Sequence, residues 1–224
     1  MNGFIVDTEE AGLKAERPGA SLRDRVRSAA FACFSTRGFA GTSMLEIATG
    51  AQISKRDLYA QYPNKHAILA DCIRDKAAAM RRPLAEVALP QSRADLVALL
   101  AAIGASIMRG VCTLGVLTVY RLAIAEAVHV PELARALDTE GREANHRLFC
   151  ELLARAQEAG LMGAGDPAVL TGRFFAMLWG DLLVRLLMGV REMPGDAEIE
   201  ARARAAAEGL PIIARTEAGR LTLR

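Results

Sequence analysis

Four times in its first hundred residues the chain repeats one short device, a serine followed three positions later by an acid. The four are Ser21-Leu22-Arg23-Asp24, Ser43-Met44-Leu45-Glu46, Ser54-Lys55-Arg56-Asp57 and Ser92-Arg93-Ala94-Asp95. Each puts a hydroxyl oxygen where the free amides of a helix N-terminus need an acceptor. The acid adds negative charge near the positive end of the helix, and only Glu46 makes the strict Ser-x-x-Glu capping box. Four helix starts are predicted.

The rest of the composition agrees. Aromatics are 5%, and β-branched residues are sparse beside Ala, Leu and Arg, which are strong helix formers. With 52% hydrophobic residues and a net charge of +2 over 224 residues, disorder of the bulk is excluded. The expected class is all-α, about nine helices, as one large domain or a small one joined to a larger one.

Residues 1–20 lack apolar periodicity and contain Gly3, Gly12, Pro18 and Gly19, so a disordered arm is expected there. Helix one keeps Leu22, Val26, Ala30, Cys33 and Phe34 on one face, and Gly38 stops it. A short second helix turns Met44, Ile47, Ala48 and Ala51 inward. A short third, from Ser54 to about Gln61, has Leu58 as its main core contact. Pro63 suits the first position of a fourth, whose end Pro83 and Pro90 bracket. Longer apolar helices follow at about 92–110, 114–129, 131–160, 167–190 and 196–214. Asp166 caps the turn from Gly160 to Gly165. Leu182, Leu183, Val184, Leu186 and Leu187 nearly encircle their helix, which therefore needs cover on more than one side, from its own domain or from a second subunit.

Charge is unevenly placed. Residues 21–82 hold eleven Lys and Arg against five Asp and Glu, while the segments on either side are slightly acidic. A basic block on a larger body points to nucleic acid. Cys33, Cys72, Cys112 and Cys150 lie about forty residues apart without a C-x-x-C pair, as expected of reduced thiols in a cytoplasmic protein. Met1 to Ala11 has no basic n-region, so no signal peptide is expected. The uncharged run Leu96 to Met108 is too short to span a membrane, and no membrane partner is expected. His66, His129 and His146 form no metal spacing, and neither H-E-x-x-H nor G-x-S-x-G occurs. No catalytic residue, metal or cofactor is assigned.

Two short helices joined by a tight turn, the second opening on two basic residues, make a helix-turn-helix pattern. Its string is Thr42-Ser43-Met44-Leu45-Glu46-Ile47-Ala48, then Ile53-Ser54-Lys55-Arg56-Asp57-Leu58-Tyr59, then Tyr62-Pro63-Asn64-Lys65. Over about 21–75 the chain resembles the DNA-binding domain of TetR/AcrR-type bacterial transcription regulators. The nearest matches are Phe39-Ala40-Gly41-Thr42-Ser43 and Leu58-Tyr59-Ala60-Gln61-Tyr62-Pro63-Asn64-Lys65. Tyr120 to Ala127 and Pro131 to Ala136 resemble the AefR-like C-terminal domains. The implied division is 21–66 for the DNA-binding domain and 67–224 for a helical ligand-binding and dimerisation domain. Two departures from the family pattern stand out. Gln52 occupies a turn position usually held by Gly, so a positive φ is expected there. Ala60-Gln61 replaces a usual aromatic or His pair, weakening one family phosphate contact.

A recognition helix enters the major groove by its N-terminal end, which puts Lys55, Arg56 and Asp57 nearest the bases. Arg56 either donates two bonds to guanine or holds a phosphate, and Lys55 could do either. Asp57 either accepts from cytosine N4 or bonds to the backbone of Ser54, the second being preferred. The resemblance implies phosphate contacts by Thr42, Tyr59, Gln61 and Lys65. Ser43 and Ser54, at the two helix starts, complete the DNA-binding set, whereas Leu58 and Tyr62 read as core.

In the body, polar or polarizable groups sit among apolar helices: Arg109, Cys112, Thr113, Tyr120, Arg121, His146, Phe149, Phe175 and Trp179, with Met108 and Met177. The expected effector-contacting set is Met108, Cys112, Tyr120, His146, Phe149, Phe175 and Trp179, around a small apolar or aromatic molecule. The family pairs its last two long helices between subunits, which implies a seam at Phe174, Leu178, Asp181, Arg185 and Met188. The leading expectation is a homodimeric repressor released from a palindromic operator in double-stranded DNA by that effector. The alternatives are a dimeric regulator without a small ligand, and a redox switch through Cys112 or Cys150.

Overall fold

The computed structural model describes residues 21–85 and 87–211. The arm expected at 1–20, and the end of the helix expected to reach 214, lie outside the described residues. The helices are α1 (Leu22–Arg37), α2 (Met44–Gly50), α3 (Lys55–Gln61), α4 (Lys65–Ala85), α5 (Arg93–Val111), α6 (Leu114–Glu126), α7 (Pro131–Leu137), α8 (Ala144–Glu158), α9 (Pro167–Trp179), α10 (Leu182–Leu187) and α11 (Asp196–Glu208). A π-helical segment, Asp138–Glu143, joins α7 to α8. The chain is all-helical, with no strand among the described residues.

All four serines cap helices. The hydroxyls of Ser21, Ser43, Ser54 and Ser92 accept from the amides of Asp24, Glu46, Asp57 and Asp95 at 3.1–3.3 Å. Asp24 closes a reciprocal box as Glu46 does, its shorter side chain still accepting from the Ser21 amide at 3.1 Å. Asp57 and Asp95 instead accept from the serine hydroxyls themselves, each at 2.6 Å. Pro63 is not the first residue of α4. Asn64 caps that helix by accepting from the Ala67 amide at 2.9 Å, which moves the start to Lys65.

Two predicted long helices are divided. That at 131–160 widens into the π segment, and that at 167–190 breaks at Gly180, whose φ of 48° leaves the helical region. Pro131 and Pro167 both start helices, as their missing N–H allows.

Two cores result. The smaller packs Val26, Ala30, Phe34, Ile47, Leu58, Ile68 and Ile73 from α1–α4, and takes Val119 and Leu133 from the body. The larger is built on α5, the one helix among the described residues long and apolar enough to cross a membrane. Here it is a core helix, with Leu96, Leu100 and Met108 fully buried. Its Gly104 admits Phe174, Leu178 and Ala203 to within 3.0–3.3 Å of where a Cβ would stand, so α9 and α11 approach closely. Arg109 joins α5 to α11 at the surface through Asp196 and Glu200.

Candidate nucleic-acid interface and effector cavity

The turn between α2 and α3 is a complete helix stop. The Gln52 amide bonds to the Thr49 carbonyl at 3.1 Å and the Ile53 amide to the Ala48 carbonyl at 3.0 Å, the paired pattern that ends a helix on a left-handed residue. That residue is Gln52, with φ of 54°, the one non-glycine residue with positive φ among those described. The expectation from its place in the motif holds.

α3 keeps Leu58 buried and turns Lys55, Arg56, Asp57, Tyr59 and Gln61 to solvent. Arg56 makes no ion pair or hydrogen bond among the described residues and stands free for a base or phosphate. Lys55 lies 5.7 Å from the centroid of the Tyr59 ring. Asp57 is tied to the Ser54 hydroxyl rather than to its backbone amide, so its carboxylate is already engaged. Ser43 and Ser54 are exposed at their helix starts but occupied as caps.

Two expected phosphate contacts sit differently. Thr42 is 3% exposed, and its hydroxyl donates to the Gly38 carbonyl at 2.8 Å. That proton is unavailable to a phosphate, so Thr42 is a structural residue of the α1–α2 turn. Lys65 donates to the carbonyls of Phe39 at 2.6 Å and Thr42 at 3.1 Å, with its ammonium 4.5 Å from the Phe39 ring centroid. It binds this turn to α4.

A buried polar group holds the reader to α4. Tyr62 donates to Asp71 at 2.6 Å, and Arg27 stands among Asp24, Asp71 and Asp75. Burial, then the bond to Asp71, pushes the Tyr62 hydroxyl up to about 12. Tyr62 is core, as expected. Asp71 and Arg27 were not legible as its partners, since nothing in their spacing marks a contact between α1, α3 and α4.

The body contains a cavity of about 460 Å³. Tyr120, His146, Phe175 and Trp179, four of the expected effector residues, line it. His146 stacks on Phe175 with ring centroids 4.2 Å apart. Burial, and next Arg142, hold the His146 imidazole below its ordinary value, so it is kept neutral. The other three expected residues lie elsewhere. Met108 and Phe149 are fully buried in the larger core, where Phe149 stacks on Phe174 at 4.3 Å, and neither lines the cavity. Cys112 ends α5 and is not in the lining, which takes the preceding Val111, and burial and Glu198 push its thiol up to about 11. Arg121 instead donates to the carbonyls of Leu186 and Leu187 at the end of α10.

The cavity also has walls outside the expected effector set. Ile73, Lys76 and Ala77 come from α4, and Asp138, Gly141 and Arg142 from the π segment, followed by Asn145. Ile73 belongs to the smaller core as well, so one helix carries both the reader and a wall of the cavity.

The expected seam residues divide too. Phe174 and Leu178 are fully buried in their own chain and cannot meet a partner, because they fill the space left by Gly104. Asp181, Arg185 and Met188 are exposed, the first two as an ion pair at 3.5 Å. Met177 and Val184 are exposed beside them.

A capped helix-turn-helix is carried on a cavity-containing helical body, the arrangement a DNA-binding regulator needs. The sequence matches the tetR family of bacterial regulatory proteins over residues 26–72 and the C-terminal domain of AefR-like transcriptional repressors over residues 98–209. The chain belongs to the TetR family, with an AefR-like C-terminal domain.

Solved structures agree. A TetR-family regulator of Mesorhizobium loti is 25% identical, with a TM-score of 0.72 over 84% of this chain and 93% of its own. The flavonoid-responsive regulator FrrA is 27% identical, with a TM-score of 0.67 over the same shares. A TetR regulator of Agrobacterium tumefaciens, 24% identical with a TM-score of 0.69 over 84% and 92%, shares the fold. No curated protein sequence matches the chain.

Proposed function

We propose that the protein is a homodimeric cytoplasmic repressor that binds a palindromic operator and is released by a small apolar or aromatic effector held in the cavity. The observation that carries this reading is α4. Its first turns pack the reader through Ile68 and Leu69, and Ile73 and Ala77 further along form a wall of the cavity. A molecule in the cavity therefore presses on the rod that carries the recognition helix. Similarity to FrrA, named as flavonoid-responsive, supports an aromatic effector.

The dimer face is read from α9 and α10. Val169, Gly172, Ala176, Met177, Val184 and Met188 form an exposed apolar or small-residue strip on one chain. Covering it with a second copy removes the exposed apolar area. It also sets two recognition helices to read half-sites about 34–36 Å apart. A redox switch has less support, since the raised Cys112 thiol holds little thiolate at neutral pH.

An effector releases the protein only by binding the DNA-incompetent state more tightly, and a coupling of about 1–3 kcal/mol is enough. The test is a thermal-shift screen, followed by addition of each hit to a preformed operator complex. Hits that stabilise the protein should weaken operator binding at least about fivefold. Hits that stabilise it yet leave the complex intact would contradict effector release and favour a regulator without a small ligand.

A further inference from the structure

Among the residues lining the cavity, one is at odds with its surroundings. Asn145, in the first turn of α8, is 7% exposed, and its Oδ1 is buried without a hydrogen-bond partner. Buried amide groups are almost always paired, because leaving one unpaired costs its full desolvation. The neighbouring polar groups do not relieve it. Asp138 and Arg142, also on the cavity wall, are taken up by each other. His146, the next residue, stacks face to face on Phe175.

The π segment bears on this geometry. It lies immediately before α8, and Gly141, Arg142, Asn145 and His146, spaced as one helical face, all reach the same cavity. Such segments recur at functional sites, where they re-aim side chains at some cost to helix geometry. The rest of the lining is mainly apolar and aromatic, with Tyr120, Phe175 and Trp179 around the stacked imidazole.

Resting on the reading of the cavity as the effector site, we propose that Asn145 is its specificity-determining residue: its Oδ1 is closed off in the free protein, and its amide turns into the cavity to pair with the hydroxyl of a hydroxylated aromatic effector. A side-chain amide has one accepting and one donating end, and a hydroxyl both donates and accepts, so it suits either end. Aromatic rings suit the flat stacked walls and the volume of about 460 Å³, which lies in the range of small-molecule sites. Asp138 and Arg142 on that wall are paired with each other. Lys76, an exposed residue of α4, is the other charge on the lining.

The experiment compares flavone with 7-hydroxyflavone, one hydroxyl apart, by calorimetric titration of the full-length protein and of Asn145→Leu, which keeps the branched four-atom side chain and removes its polarity. The wild type should bind 7-hydroxyflavone about tenfold more tightly than flavone. The variant should bind the two within about twofold while retaining its affinity for flavone. The free variant should melt at or above the wild-type temperature, since it gives up an unpaired buried amide. A preference that survives Asn145→Leu, or no preference in the wild type, overturns the assignment while leaving the cavity an effector site. A fall of several degrees in the variant's melting temperature shows the amide to be held by the protein itself and also overturns it. If neither compound binds the wild type, the aromatic-effector reading falls and the hydroxyl preference with it.

Discussion

The reader and the body are both helical, well buried and capped at their helix starts, yet they differ in how they leave a buried polar side chain. In the reader, the Tyr62 hydroxyl, the Asp71 carboxylate and the Arg27 guanidinium satisfy one another, and the helix starts at Ser21, Ser43 and Ser54 are capped. In the body, Asn145 keeps a buried oxygen without a partner beside about 460 Å³ of unfilled space. A groove-reading surface needs one fixed geometry, whereas a sensor needs an interior left incomplete until a molecule completes it. The two meet on α4, whose Ile73 serves both.

The sharpest way to break this contrast is to make the same substitution in each region. Ala30 is fully buried in the solid core of the reader, so Ala30→Leu should cost about 1–3 kcal/mol in chemical unfolding. Ala77 is buried against the cavity, and Ala77→Leu should instead gain about 0.5–2 kcal/mol while blunting any response to effector. Equal losses at the two sites would mean that the body is as tightly filled as the reader. Next in size, Arg56→Ala should weaken operator binding by about 1–3 kcal/mol and relax specificity at one base pair, with unfolding unchanged. A uniform loss over all sequences would make Arg56 a phosphate contact instead. Lys65→Ala now carries a different expectation from a simple phosphate contact. Removing it frees the carbonyls of Phe39 and Thr42, so unfolding stability should fall together with DNA affinity.

These contrasts show what can be read along a chain. The serine caps, the strained turn at Gln52 and the burial of Leu58 and Tyr62 were all legible, because each depends on neighbours within a few residues. Thr42 and Lys65 were placed on the DNA face by resemblance; the bond of Thr42 to the Gly38 carbonyl is local to the α1–α2 turn, whereas those of Lys65 to Phe39 and Thr42 arise only once that turn meets α4. Met108 and Phe149 were grouped with Tyr120 and Trp179 as polar or polarizable residues among apolar helices, a pattern along the chain. It cannot tell a side chain facing solid core from one facing a void. Gly180 stood unnoticed in an apolar run, though it divides α9 from α10 and takes Phe174 and Leu178 into the core while leaving Val184 and Met188 outside.

Smaller effects refine the account. Gln52→Gly removes the left-handed strain and should stabilise the reader by about 0.5 kcal/mol, net of the added freedom of the unfolded chain. A fall in stability would show that the Gln52 side chain holds the turn. The smallest effect is one of pH. The folded pKa of His146 lies below its ordinary 6.5, so between those values the unfolded chain binds more protons. Its contribution to stability is present above about 6.5 and is lost as pH falls toward the folded value. The decline should be shallower in His146→Phe, measured by urea unfolding between pH 7.5 and 5. An identical decline in the variant would assign it to other groups.

The central claim is that filling the cavity moves the recognition helices through α4. Pulsed electron-spin distance measurement tests it directly, with a label on the exposed Ala60→Cys and the four native cysteines replaced by alanine. The free dimer should give a separation compatible with half-sites about 34–36 Å apart. A compound that stabilises the protein in the thermal-shift screen should move that distribution away from it. An unchanged distribution in a protein saturated with such a compound would contradict the claim.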